Sequence, residues 1–331
     1  MKMNAFPSLL QCFFTERLLG ELGASPHTVA SYRDTFRLLL RFASARLQRE
    51  PSRIEIEALD GVLLGEFLAY LERDRHTSIR SRNNRLSALR AFFRFVAIKE
   101  PALALQCQRI LAIPGKRHDR GPVTFLTEAE STALMDAPDK ATWIGRRDRT
   151  LLLVAIQTGL RNSEITALHR QDVAFGTGAH IRCMGKGRKS RCTPLRVDVA
   201  ASLQLWFNEQ ADVPSDPVFP CLHGGTLSSD AFQRLVGRHV TTAANSCPSL
   251  AGKNVTPHTL RHTAAMDMLR RGVDLCVIAL WLGHESTETT QIYIHADMGI
   301  KEKALAHADP NGSVPGRYHP PDPLLLFLEE L

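Results

Sequence analysis

The stretch Thr256-Pro257-His258-Thr259-Leu260-Arg261-His262 joins a helix start to two anion-seeking side chains. Thr and Pro open the helix, and His258 and Arg261, three residues apart, share a face of its first turn beside the positive end of the helix dipole. That is a phosphate-binding arrangement. His284 follows Leu282-Gly283 directly, and Tyr293 comes nine residues later within Thr289-Thr290-Gln291-Ile292-Tyr293-Ile294-His295. Four histidines here, His258, His262, His284 and His295, also raise a metal reading. No carboxylate lies between His258 and His262, and the cationic Arg261 shares their face, so no metal site is expected.

Two further stretches hold polar groups in unusual company. In Thr158-Gly159-Leu160-Arg161-Asn162-Ser163-Glu164-Ile165, Arg161 follows a helix-ending glycine and projects from a tight corner. Glu164 lies three residues on and could orient it, although a pair at this spacing also suits a surface ion pair. In Gly185-Lys186-Gly187-Arg188-Lys189 a lysine sits on a glycine-flanked turn, free to reach outward or simply to stand in solvent. A P-loop is rejected, because Gly187 follows the lysine and no glycine lies five residues before Gly185.

The elements that position these residues divide the chain in two. In the first third, Ser25-Pro26 starts a helix along which Val29, Tyr32, Phe36, Leu39 and Leu40 recur at helical spacing. Arg33, Arg37 and Arg41 form an i, i+4 ladder whose mutual repulsion an anion would relieve. A second helix, about Ser78 to Ile98, buries Leu86, Leu89, Phe93 and Val96, with Arg80, Arg82, Arg85, Arg90 and Arg94 around the rest. Residues 114–122, bounded by Pro and Gly and carrying Lys116 and Arg117, read as a linker, either lying along a phosphate backbone or a solvated tether. Beyond it, Thr127 and Glu130 form a capping box, a helix runs from about Arg147 to Thr158, and His180–Met184 and Arg191–Leu195 flank the lysine turn as strands. Helices are expected at Val197–Glu209, Ser229–Asn245, Thr256–Arg271, with Leu260, Ala264 and Met268 inward, at Asp274–Leu282 and at Glu288–Ala296. A Pro-rich tail, 309–331, ends with Leu324, Leu325, Leu328 and Leu331 on one helical face.

The 331 residues, 44% apolar and 23% charged, suit a globular protein of about two domains. The densest apolar run, Leu151 to Ile156, is far below the ~20 residues of a membrane span. Pro7 and Gln11 interrupt the apolar stretch after Lys2, so no secretory leader is expected. Seven scattered cysteines without a C-x-x-C pair fit free thiols in a reducing cytoplasm. Net charge is +7, and residues 1–121 hold 20 Lys/Arg, 17 of them arginine, against 12 Asp/Glu. The basic excess therefore lies in the N-terminal third and favours a polyanionic partner over a merely soluble face.

Taken together, the motifs resemble the tyrosine recombinase, or phage integrase, family: Arg161 in Thr-Gly-Leu-Arg-x-Ser-Glu, Lys186 in Gly-Lys-Gly-x-Lys-x-Arg, His258 and Arg261 in His-Thr-Leu-Arg-His, His284 in Leu-Gly-His, and Tyr293 in Thr-Thr-Gln-Ile-Tyr-x-His. All six stand in the family's order, over roughly residues 8–305. The resemblance implies a mainly α fold with a small β-sheet: a helical, SAM-like core-binding domain over 1–113, the linker 114–122, and a mixed α/β catalytic domain over 123–308; the tail 309–331 is not a general feature of the family. It implies double-stranded DNA as partner, a homo- or hetero-tetramer on two DNA sites with possible partner recombinases, a cytoplasmic, nucleoid-associated location, and no cofactor, metal or membrane. Tyr293 would attack a DNA phosphodiester held by Arg161 and Arg261. His258 and His284 would add hydrogen bonds, His258 would also help take the tyrosine proton, Lys186 would protonate the leaving 5′-oxygen, and Glu164 would support. Arg33, Arg37, Arg80, Arg82, Arg85, Arg90, Lys116, Arg117 and Arg188 would contact DNA. A free phenol is about 0.1% ionised at pH 7, and the cationic pocket is expected to lower the pKa of Tyr293. Of the four tyrosines, Tyr32, Tyr70, Tyr293 and Tyr318, only Tyr293 lies beside the His/Arg cluster. Integration or transposition of a mobile element is the expected role. Chromosome-dimer resolution is the alternative, and a non-catalytic DNA-binding accessory protein is the rival from another class.

Overall fold

The computed structural model describes residues 6–117, 123–185, 190–210 and 216–284, with Thr290, Gln291 and Tyr293. The chain divides into two units, 1–120 and 121–331, and apolar cores form within each. Among the described residues no helix is long and apolar enough to cross a membrane.

In the first unit, helix α1, Phe6–Cys12, runs on through wider π-helical turns over Phe13–Glu21. Helices α2, Pro26–Leu47, α3, Gly61–Arg73, α4, Ile79–Lys99, and α5, Ala104–Leu111, follow. Side-chain oxygens of Ser25, Asp60 and Ser78 accept from the backbone N–H groups of Thr28, Leu63 and Ser81, which would otherwise lack partners at the helix starts. Leu86, Leu89, Phe93 and Val96 are buried as their spacing predicts, and Phe92 joins them edge-on to Phe36, with ring centroids 5.1 Å apart.

Arginine placement departs from expectation on α4. Arg80 and Arg94 are exposed, but Arg82 is only 6% exposed. Its guanidinium donates to the Pro114 carbonyl at 3.1 Å and pairs with Glu72 at 3.3 Å. Arg90 donates to the Ile113 carbonyl, and Arg85, half-buried, reaches Thr77. Arg82 and Arg90 are thus internal struts rather than free phosphate ligands. The beginning of the expected linker is likewise fixed to this unit: Asn83 bonds both the N–H and the carbonyl of Lys116, whose ammonium pairs with Glu72 at 2.8 Å. Arg117 is exposed. On α2 the arginine ladder already has an anion, since Asp34 lies 3.4 Å from Arg33 and 3.7 Å from Arg37.

The second unit begins with α6, Glu128–Asp136, closed by the expected Thr127/Glu130 box. Helix α7, Trp143–Thr158, starts earlier than predicted because Thr142 caps it. The short α8, Asn162–Thr166, leads to β1, Val173–Ala174, β2, His180–Met184, and β3, Ser190–Pro194, an antiparallel sheet in that order with Cys183 opposite Arg191. Helices α9, Val197–Glu209, α10, Ser229–Ala243, α11, Pro257–Arg270, and α12, Leu275–Leu282, complete the described part. The architecture is mainly α with a small sheet, as the sequence implies. Leu260 and Ala264 face inward, with Met266 buried and Met268 half-buried.

Helix α11 packs on both α7 and α12. Two left-handed glycines make this close: Gly159, φ 62°, caps α7, and Gly283, φ 65°, caps α12. A Cβ on Gly159 would meet Leu282 at 2.6 Å, and one on Gly283 would meet the Arg191 guanidinium at 2.7 Å. The expected helix at 288–296, apart from Thr290, Gln291 and Tyr293, and the tail 309–331 lie outside the described residues.

Candidate active site

Three helix ends meet at the site. Arg161 leaves the corner after Gly159 and donates to Glu164 at 2.8 Å and to the Gly283 carbonyl at 2.7 Å. Arg261, on α11, donates to the carbonyls of Gly159 and Leu282, both at 2.7 Å. Both guanidiniums therefore sit at the carbonyl ends of α7 or α12, where the helix dipole favours a cation. Together they grip the consecutive carbonyls of Leu282 and Gly283. Glu164 is no simple surface partner: its side chain is 4% exposed, and it also accepts from the Arg161 N–H.

Glu164 holds a second guanidinium that the sequence reading left out of the site. Arg191 on β3 donates to it twice, at 2.9 and 2.7 Å, and to the Trp281 carbonyl at 3.2 Å. The signal was the alternation of β3, which places Arg191 on the same inward side as the buried Thr193.

The histidines cluster on the other side. His258 is exposed on the first turn of α11, and its ring lies 4.3 Å from that of His262 one turn on. His262 Nδ1 is 2.9 Å from the Tyr293 hydroxyl, and His284 Nδ1 is 2.8 Å from the Thr290 hydroxyl. Tyr293 is 1% exposed and packs with Ala265, Met266, Ile278 and Leu282. The structure thus brings Arg161, Glu164, Arg261, His258, His284 and Tyr293 into one region of the second unit. Lys186 and Arg188 lie outside the described residues, between the ends of β2 and β3.

Residues 124–299 match the phage integrase family, and residues 13–100 match the phage integrase N-terminal SAM-like domain. The chain belongs to the phage integrase family. It is 52% identical over 330 residues to the y4rC protein of Sinorhizobium fredii, whose name places it among integrases and recombinases, covering 100% of this chain and 99% of that one. It is 32% identical to the tyrosine recombinase XerC of Pelobacter propionicus over 91% of this chain and 95% of that one. Its fold is shared with the Tn1549 transposon integrase in complex with transposon right end DNA, at TM-score 0.67 and 16% identity over 90% and 98% of the two chains.

In this tyrosine recombinase the pocket's electrostatics divide by residue type. Burial alone would raise Glu164, but hydrogen bonds from Arg191 and from the Arg161 backbone outweigh it and hold the carboxyl at about 2. Burial, then the neighbouring Arg161, lowers Arg261 to about 10, still a cation at neutral pH. Burial, then His258 and Arg261, holds His262 at about 4, and burial, then Arg261 and Arg161, does the same to His284. Both rings are neutral at pH 7. The expectation for Tyr293 is overturned: burial pushes its phenol up to about 12, and the opposing pull of Arg261 is too small to reverse it. Water is a better solvent for a phenolate than this packed site, so the proton needs a nearby acceptor.

Proposed function

We propose that this recombinase integrates or transposes a mobile element, cutting and rejoining duplex DNA through a 3′-phosphotyrosine on Tyr293. The observation that carries the chemistry is the placing of the Tyr293 hydroxyl against His262, next in sequence to Arg261, which shares the Leu282–Gly283 anchor with Arg161. Each guanidinium has N–H groups beyond those given to backbone and Glu164. These would bind the non-bridging oxygens of the phosphate and hold the charge that grows in the pentacoordinate state. The Tyr293 oxygen bonds to phosphorus, the bond to the 5′-oxygen breaks, and Lys186 gives that oxygen a proton. A 5′-hydroxyl of another strand then attacks the phosphotyrosine and frees Tyr293. One phosphodiester is exchanged for another, so no external energy source is needed.

Exchange between two duplexes cuts four strands, and one nucleophile per chain calls for four copies. The basic N-terminal unit would supply the phosphate contacts. Similarity to the y4rC protein along its whole length, and the fold shared with a transposon integrase, support the mobile-element role. Similarity to XerC supports chromosome-dimer resolution as the second reading. Nicked suicide duplexes tiled across the DNA flanking the chain's own gene, and duplexes of the host chromosome's resolution site, separate the two. A DNA-linked band on a denaturing gel, formed with wild type and lost in Tyr293→Phe, is expected on the flanking DNA. Trapping only on the resolution site would establish the second reading. Binding with no covalent band on any duplex would point to a non-catalytic role.

A further inference from the structure

We propose that His262 is the base that takes the phenolic proton of Tyr293 during strand cleavage, a catalytic residue beyond the six that the motifs single out. The proposal rests on the reading of Tyr293 as nucleophile. Its geometric ground is direct: Nδ1 of His262 lies 2.9 Å from the hydroxyl that must ionise, and the two rings meet edge-on, with centroids 5.5 Å apart. A general base has to be within hydrogen-bond reach of its proton. Tyr293 is 1% exposed, so bulk water has poor access to its oxygen.

The surroundings of His262 suit an acceptor. His258 and Arg261 on α11, His284 after α12 and Tyr293 itself are the titratable or charged groups around the ring, and burial together with the first three disfavours its protonation. The neutral ring with its proton on Nε2 presents the Nδ1 lone pair to the hydroxyl. As the Tyr293 oxygen bonds to phosphorus, its proton passes to Nδ1, and the bond to the 5′-oxygen breaks with that oxygen protonated by Lys186. The imidazolium formed lies beside an anionic phosphate and beside the exposed ring of His258, 4.3 Å away. In the return step the proton moves back to the freed phenolate. The helix register accounts for the placement, since His262 follows Arg261 and stands one turn beyond His258, so one helix presents a phosphate ligand and a base together.

The test is single-turnover formation of the covalent band on a nicked duplex that wild type cleaves, from pH 6 to 9, for wild type, His262→Ala, His262→Asn and Tyr293→Phe. Asparagine keeps an acceptor oxygen near the hydroxyl but is no base, and it remains informative if the alanine variant unfolds. Gel-shift binding should be unchanged. Wild type should be nearly independent of pH. His262→Asn should be slower by about 10²-fold or more at pH 7, the scale of a lost general base. Its rate should then rise about tenfold per pH unit, because hydroxide must take the proton. A wild-type rate and profile in His262→Asn would overturn the proposal. So would a loss equal at every pH, which would make His262 a positioning residue only. A covalent band with Tyr293→Phe would instead sink the nucleophile assignment, whatever the His262 variants do.

Discussion

On α2 of the first unit, Arg33 and Arg37 stand with side chains 61% exposed and share Asp34 at 3.4 and 3.7 Å. In the second unit Arg161, Arg191 and Arg261 are half-buried or buried, and each makes at least two hydrogen bonds of 2.9 Å or less to fixed partners. The same side chain thus serves two ends. Exposed arginines carry charge that acts at a distance and that salt screens. Arginines locked to helix-end carbonyls and to a buried carboxylate are preorganised, so little rearrangement is needed when charge develops. The basic excess read from composition marks only the first kind. The second belongs to a region whose net charge is close to zero, and no charge count would have found it.

Glu164 is where that contrast breaks with the largest effect. Among the described residues it is the one carboxylate paired with both Arg161 and Arg191. Glu164→Gln removes the charge and leaves two guanidiniums facing each other in a partly desolvated site. Removing one partner of a buried pair costs about 3–5 kcal/mol, and that is the expected fall in unfolding free energy by urea titration. Covalent trapping should fall as well, because Arg161 loses its orienting group. The three tryptophans, Trp143, Trp206 and Trp281, all lie in the second unit, so their fluorescence reports this loss in the intact chain. An unchanged midpoint would show that Gly283 and Trp281 hold the arginines without the carboxylate.

The next effect is on pH. His262 and His284 take a proton near pH 4 in the folded chain, against the ordinary 6.5. Between those values the unfolded chain binds more protons, so stability rises with pH. Glu130 and Glu164 behave alike lower down: burial alone would raise them, but ion pairs and hydrogen bonds hold both at about 2 against 4.5. Their contribution is complete above pH 4.5 and is lost toward pH 2. Tryptophan-monitored urea midpoints should therefore fall from pH 7 to 5, and further below pH 4.5. His262→Gln should shrink the first step, leaving the share of His284, and spare the second. A midpoint constant from pH 7 to 5 in wild type would refute the neutral-histidine assignment.

Much of the scaffold was legible because its signals are local. Ser25 and Thr127 cap helices where their spacing predicts, and Gly159 ends α7 as a glycine should. The site motifs converge because each lies at such a local stop or start. What escaped depends on partners far along the chain. Arg191 meets Glu164, and Arg82 meets Pro114, contacts that periodicity cannot specify. Helix α3 went unread although Leu63, Leu64, Phe67, Leu68 and Leu71 trace one face after the Asp60 cap. Tyr293 was misjudged for a different reason. Sequence showed the nearby cations but not the burial that outweighs them.

The smallest expected effects separate the two kinds of arginine within the first unit itself. Arg33 and Arg80 are exposed on α2 and α4, whereas Arg82, two residues from Arg80, lies inside against Glu72 and the Pro114 carbonyl. Each phosphate contact releases counterions, so losing one lowers the slope of log K against log salt by about 1. Arg33→Ala and Arg80→Ala should each weaken binding to a cognate duplex and flatten that slope, with unfolding unchanged. Arg82→Ala should do the reverse: the chain unfolds at lower urea because Glu72 loses an ion-pair partner and the Pro114 carbonyl loses a donor, while the salt slope stays at the wild-type value. Fluorescence anisotropy across a salt series reads the slopes. Circular dichroism reads the unfolding, since the tryptophans do not report this unit. A flattened slope for Arg82→Ala would mean that its guanidinium turns outward when DNA binds. The division between strut and contact would then hold only for the free protein.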